Sequence, residues 1–462
     1  MPTAHCGAPH AQIHTPQHSE PAVLTSRERI QTVVEAMPGF DMSLDLARRR
    51  AATAIGAVSL GLIAIVFAWL GDTAQEIFNQ FQSQNRFAPL VLTPAVFVAV
   101  VWITNRWSPD ARGSGIPQVM AAGKDLDLAY TKLLSLPTAL VKLLLTIAML
   151  LVGGSVGREG PTVQVAAAIM IVCHRLFRVP MTAGVLIAGG AAGVAAAFNT
   201  PLAGVAFAIE ELAAAFEQRV AVLVMGAVVI SGLVSLGLSG DYIYFGVMHE
   251  TLKVGSVVLI APAAGVLGGV LGGLFSRTLL AFARSGHSVF VLFRKRPVML
   301  ALICGIIVAL AGVLSGGSTW GTGYEVTKQM VEGHQSASPW FGPAKLLVTA
   351  ATAVSGAPGG IFAPSLSVGA GVGQLLTYCF PDDPMSAVIL LGMTGYFVGV
   401  VRAPLTAVII LMETTASRGM ILPLFATAII ADGVSKLVCR DKLYHGLSKG
   451  FALQSEPRAK QA

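Results

Sequence analysis

The sequence predicts an all-α polytopic membrane protein made of two inverted-topology repeats of broken, tilted helices. Three observations predict it. Hydrophobic residues make up 54% of the 462 and charged residues only 12%, about half the roughly 25% of a soluble domain. Several apolar runs, among them Thr162 to Cys173 and Leu202 to Ile209, are too short to cross a bilayer and are separated by Gly and Pro clusters. Such breaks at membrane depth are tolerated only where protein buries them or where they line a cavity. Finally, the second half of the chain repeats motifs of the first.

Taken in order, residues 1–50 read as a polar N-terminal cytoplasmic tail with an amphipathic segment. They lack the apolar stretch of a signal peptide. His5, His10, His14 and His18, with Cys6, have no fixed ligand spacing and read as solvated rather than as a metal site. Ala51 to Leu70 carries no charge over its whole length and is the first predicted span. The transmembrane domain is placed at 51–440, with a first repeat at about 51–217 and a second at about 218–435. A C-terminal cytoplasmic helix and tail follow at 441–462. Arg48, Arg49 and Arg50 flank the first span, and Lys436, Arg440, Lys442 and Lys449 follow the last apolar run. The positive-inside bias therefore puts both termini in the cytoplasm of a multi-pass inner (plasma) membrane protein, with an even number of crossings. The net charge of +7 is thus a matter of topology, and no nucleic-acid partner is expected. The five cysteines lie far apart, without a CxxC pair. They read as packing residues, with no disulfide framework or metal site.

The repeat is exact in register. Gly157, Pro161, Val165 and Ala167 of GREGPTVQVAA match Gly360, Pro364, Val368 and Ala370 of GIFAPSLSVGA, each 203 positions on. The same spacing carries Gly189 to Gly392, and PLAGVAFAIE onto PLTAVIILME, so that Pro201, Leu202, Val205 and Glu210 match Pro404, Leu405, Val408 and Glu413. An even total of crossings allows an odd number in each half, which would invert one repeat against the other.

Three segments share Gly-x-x-x-Pro: GSGIP (Gly113 to Pro117, with Gly115 and Ile116), GREGP (Gly157 to Pro161, with Arg158 and Gly160) and GIFAP (Gly360 to Pro364, with Ala363). Each reads as a turn opening a helix, since glycine permits a close turn and proline suits the first helical turn, where N–H groups have no intrahelical partner. Free amides at a helix N-terminus carry about half a positive charge and form an anion trap in a low-dielectric setting. They also release the anion more readily than a buried Lys or Arg would.

GSGIP, GREGP and GGIFAP in this order resemble the three anion-site signatures of the CLC chloride channel and transporter family. The resemblance extends through FNTPLAGVAFAIEE, SGAPGGIFAPSLSVG, RAPLTAVIILMETT and LYHGL (Leu443 to Leu447), covering most of the chain after the first span. It implies the CLC fold, a homodimer in the lipid bilayer with one anion pathway per subunit, chloride and protons as substrates, and no cofactor beyond bound chloride ions. By position, Ser114 matches the central-site hydroxyl, Tyr444 the phenol opposite it, and Ile361 and Phe362 the residues presenting backbone amides. Serine at 114 resembles the chloride-preferring members.

Charges at membrane depth cost about 2.5–3.5 kcal/mol each on insertion scales and need a reason. Glu159 sits among the anion-binding amides, where its carboxylate can fill the trap and protonation can release it. The resemblance makes it the gating and external proton glutamate. Glu210 is matched by Glu413 and reads as structural. Glu211 is matched only by Thr414 and corresponds to the internal proton glutamate of exchangers. Some bacterial exchangers have an acid three places after the proline of GSGIP, where this chain has Met120. Arg158 reads as half of a structural pair, and Lys142 and Arg402 as charges that neutralise buried acids or cap helices. The expectation is chloride/proton antiport, with a passive voltage- or pH-gated chloride channel of the same fold as the alternative. An intramembrane serine protease would need a histidine beside a serine at membrane depth. His174, His249, His287, His334 and His445 instead fall at run ends or in polar segments, so no enzyme is expected.

Overall fold

A computed structural model describes residues 40–212, 218–240, 243–334 and 337–452. The tail histidines and Cys6 lie outside the described residues. Arg49–Ala462 forms one compact unit. Among the described residues there are helices and two isolated backbone bridges but no strand.

The first helix runs Phe40–Gln84, 45 residues or about 68 Å at 1.5 Å per residue, well beyond the expected Ala51 to Leu70. The chain has no proline between Pro38 and Pro89, and the flanking Leu, Ala, Arg and Gln residues favour helix. Nothing therefore ends the helix at the edges of its apolar centre. Six helices among the described residues are long and apolar enough to cross a membrane, from Leu44–Gln84 and Pro89–Trp107 to Arg418–Val438. The pair Leu126–Leu133 and Leu136–Leu150 is bent by 53°. Shorter apolar helices, such as Ala183–Phe198, Met385–Val401 and Pro404–Thr415, are the broken elements that the Gly and Pro clusters predict.

Glycine sets the closest packing. A Cβ on Gly268 or Gly272 of Val254–Arg284 would meet the backbone of Gly395 or Gly399 on Met385–Val401 within 3 Å, and one on Gly392 would meet Gly373 of Phe362–Thr377. Helices in lipid gain little from burying apolar surface against one another, so close backbone approach at small residues supplies the packing.

The two halves meet through reciprocal contacts. Asn199 and Arg402, 203 positions apart, both end a helix in the left-handed region, with φ of 56° and 61°. Each is followed by a helix opened by Pro201 or Pro404. The Glu413 carboxylate accepts the Leu202 and Ala203 N–H groups at 3.2 and 2.8 Å, while Glu210 accepts those of Leu405 and Thr406 at 3.1 and 2.8 Å. Each half thus caps a helix of the other, the exchange expected about a two-fold axis. Gly157 and Gly360 lie beside the same axis, exchanging N–H···O bonds of 2.8 and 2.7 Å. Buried Lys142 donates to the Ala111 and Gly113 carbonyls at 2.8 and 2.5 Å. Its counterpart Lys345 donates to Thr319 and Gly321 at 2.9 and 2.7 Å.

Candidate anion site

The three Gly-x-x-x-Pro loops open the helices Ile116–Ala122, Glu159–Leu176 and Phe362–Thr377, and their first turns converge. Gly113 donates to the Ala357 carbonyl and accepts from the Gly359 N–H at 3.0 Å, which ties the first loop to the third, and the Gly157–Gly360 pair ties the second to the third. Gly160 faces Ser114 so closely that a Cβ there would overlap its side chain and backbone. Gly115, at φ 108°, occupies a conformation other residues rarely adopt. Pro117, Pro161 and Pro364 all fall in first helical turns, where an N–H has no intrahelical acceptor. Of the predicted loop residues only Gly113 is half-buried; Ser114, Gly115, Ile116, Pro117, Gly157, Arg158, Glu159, Gly160, Pro161, Gly360, Ile361, Phe362, Ala363 and Pro364 are buried.

Two hydroxyls bear on this junction. Ser114 Oγ and Tyr444 Oη are buried and face each other, and among the described residues neither lies within hydrogen-bonding distance of a partner. Both residues, with Pro117, Gly360 and Ile361, line a cavity of about 420 Å³. Leaving a buried hydroxyl unsatisfied is unfavourable by about 1–3 kcal/mol, so two at one cavity mark a place for a ligand that accepts hydrogen bonds. Phe362 closes the apolar side. Its ring packs against Phe397, Phe207, Tyr444 and Phe198 with centroids 5.0, 5.9, 6.0 and 6.2 Å away.

Glu159 is fully buried as the first residue of its helix. Its Oε2 accepts the Ala363 N–H at 3.5 Å, the long end of a hydrogen bond, and among the described residues Oε1 has no partner. The carboxylate therefore reaches from one half's loop to the helix start of the other. Arg158 turns away: its guanidinium bonds Asp72 at 2.8 Å and the Ala68 carbonyl at 2.9 Å, which supplies the partner for the expected structural pair.

A sequence model of the family described as voltage gated chloride channel matches residues 95–436. The chain belongs to that family. The H(+)/Cl(-) exchange transporter ClcA of Vibrio vulnificus strain YJ016 is 28% identical over 443 residues, 88% of this chain and 92% of that one. The ClcA protein of Yersinia pestis biovar Antiqua strain Angola is 30% identical over 399 residues, 80% of each. A slow cyanobacterial Cl−/H+ antiporter superposes with a TM-score of 0.75 at 23% identity, covering 89% of this chain and 99% of that one. A CLC-type fluoride/proton antiporter does so with a TM-score of 0.72 at 20% identity, with the same coverage. The chain thus has the CLC fold.

In this CLC chain the two neighbouring acids diverge. Glu210 and Glu211 lie on a π-helical turn, Ala208–Leu212, continuing Pro201–Phe207. Glu210 points to the opposite half as described. The Glu211 side chain has no exposed area, and its Oε1 lies 3.0 Å from Lys442 Nζ. That partner escapes sequence reasoning because it is 231 residues away; the sole clue is a run of cations beside LYHGL. Met120, where an acid stands in some exchangers, is buried among apolar groups, so the group bound to Glu211 comes from the C-terminal segment.

Of three further expectations, only packing at every cysteine needs correction. Among the described residues Lys142 bonds no acid but caps two carbonyls, that of Ala111 and that of Gly113 in the GSGIP loop, because a buried ammonium with three donors can anchor a turn that has lost its helical bonds. The lysine pair could have been read from the 203-residue spacing of Lys142 and Lys345. Arg402 does pair with an acid, Asp432, at 3.1 Å, and also holds the Cys439 and Arg440 carbonyls. Cys173, Cys304 and Cys439 are buried packing residues, but Cys379 is exposed, at a helix end where nothing covers it.

Proposed function

We propose that this CLC protein exchanges chloride for protons across the cell's inner membrane. The observation that carries the reading is the Glu159 carboxylate, fully buried at the junction of three amide-rich loops. A carboxylate and a chloride ion are both anions seeking the same N–H groups, so each excludes the other. Protonation removes the charge of Glu159 and with it the advantage of those amides, and the side chain yields its place to chloride. One group thereby acts as gate and external proton carrier.

Ser114 and Tyr444 offer their unpartnered hydroxyls to the central ion, and the Ile361 and Phe362 amides add the start of the Phe362 helix. Helix termini and hydroxyls bind without a full positive charge, which keeps release fast enough for transport. Glu211 serves as the internal proton acid. It is buried, separate from the anion cavity and next to solvent-reaching groups of the C-terminal segment. Chloride is the preferred anion, as the resemblance at Ser114 implies, and both termini are cytoplasmic. The working unit is a homodimer with one pathway per subunit, bound chloride being its only small-molecule ligand.

Purified protein in liposomes tests this directly. An imposed chloride gradient is expected to drive protons uphill, with a fixed ratio of the two fluxes. Chloride movement with no proton movement would make the protein a passive channel of the same fold.

A further inference from the structure

Glu211 has a second neighbour besides Lys442. Glu211 Oε2 lies 3.7 Å from His445 Nδ1, and both atoms are buried without a hydrogen-bond partner among the described residues. Two unsatisfied atoms thus face each other across a gap that a small rotation of the imidazole closes to hydrogen-bond length. The His445 side chain is nevertheless 45% exposed while that of Glu211 is not exposed at all. One ring therefore spans from a sealed carboxylate to the solution.

We propose that His445 relays protons between Glu211 and the solution on the side of the C-terminal helix, with Lys442 as the positioning residue that holds the carboxylate in place. The inference rests on the reading of Glu211 as the internal proton acid. Starting with its proton on Nδ1, the imidazole takes a second proton from solution on Nε2 and becomes imidazolium. The Nδ1 proton then passes to Oε2, leaving a neutral imidazole and a neutral carboxyl group; reversal returns the proton. No other bond forms or breaks.

The surroundings suit a relay rather than a static ion pair. Lys442, Lys124 and Lys449 are the charged groups acting on His445. Glu211 is acted on by Lys442, Glu210 and Arg402. Partial desolvation first, and then the three lysines, hold the histidine below its ordinary pKa, so at neutral pH the ring is uncharged and takes up and loses a proton readily. Lys442 bonds only Oε1, which leaves Oε2 free to receive the proton.

The test compares wild type, Glu211→Gln, His445→Gln and His445→Ala in liposomes under one chloride gradient. Glu211→Gln is expected to move no protons. His445→Gln should lower proton flux relative to chloride flux by about a hundredfold, the low end of the range for removing a positioned acid–base group. His445→Ala should show the same loss and recover when imidazole is added on the side of the C-terminal helix, a rescue that a merely structural histidine would not permit. Wild-type flux ratios in both histidine variants beside an uncoupled Glu211→Gln protein would overturn the relay and leave the internal acid in place. A fully coupled Glu211→Gln protein would overturn both.

Discussion

Glu210 and Glu413 do the same work in the two halves of the chain, whereas their neighbours Glu211 and Thr414 do not. Each of the first pair accepts two N–H groups at the start of the opposite half's helix. One position later the symmetry ends: Thr414 spends its hydroxyl on the Ile410 carbonyl of its own helix, while Glu211 is buried against Lys442 and His445. The same break occurs at the junction, where Gly157 and Gly360 pair reciprocally but Glu159 stands opposite Phe362 in the repeat. Duplicated residues hold the scaffold, and the acids present in one half alone are the candidates for transport.

The lysine pair offers the largest way to break this comparison. Lys142→Met strips the buried Ala111 carbonyl of its donor and leaves Gly113 only the Gly359 N–H, while Lys345→Met strips the Thr319 and Gly321 carbonyls, at about 1–3 kcal/mol per stranded carbonyl, so both variants are expected to be destabilised in thermal unfolding of the detergent-solubilised protein. Only Lys142→Met should also weaken chloride binding several-fold by calorimetry, because the Gly113 carbonyl it anchors adjoins Ser114. Equal chloride affinities in the two variants would mean that the lysine does not support the site.

Smaller and matched effects are expected at the caps. Glu210→Ala and Glu413→Ala each remove a side-chain cap worth about 1–2 kcal/mol and should lower stability alike, with the ratio of proton to chloride flux intact. A change in that ratio for one but not the other would show that the pair is functionally divided. The smallest effect sharpens the site itself: Tyr444→Phe deletes one donor to an anion, about 1.5 kcal/mol or roughly tenfold in affinity. Calorimetry showing unaltered chloride binding would remove Tyr444 from the site.

Much of this is legible in the sequence, for reasons that differ by residue. The loops at Gly113, Gly157 and Gly360 are readable because their conformations and close approaches demand glycine, and proline marks the turn that follows. Glu211 stands out because its counterpart is Thr414, a comparison available within one chain. Contacts made across the fold were not legible. Lys442 reaches Glu211 over 231 residues, and Arg158 finds Asp72 beyond the end of the expected first span, on a helix whose polar ends give no sign of stopping. A further repeat also escapes an ungapped search: GTG at Gly321 to Gly323 corresponds to GSG at Gly113 to Gly115, displaced by 208 rather than 203 positions. Its glycines have φ of 61° and 77°, against 66° and 108° in the first half. Insertions in a connecting loop shift register without altering the turn, so the backbone preserves a likeness that aligned residues do not.

The central claim, that acids found in only one half couple the two ions, is tested most directly by parallel chloride and proton flux in liposomes at two pH values for wild type, Glu159→Gln and Glu211→Gln. Glu159→Gln, a neutral mimic of the protonated gate, should pass chloride without proton coupling or pH dependence. Glu211→Gln should move no protons yet keep pH-dependent chloride flux, because Glu159 still responds to protons from its own side. Uphill proton movement at the wild-type rate in Glu211→Gln would contradict the account and return Glu211 to the scaffold alongside Glu210.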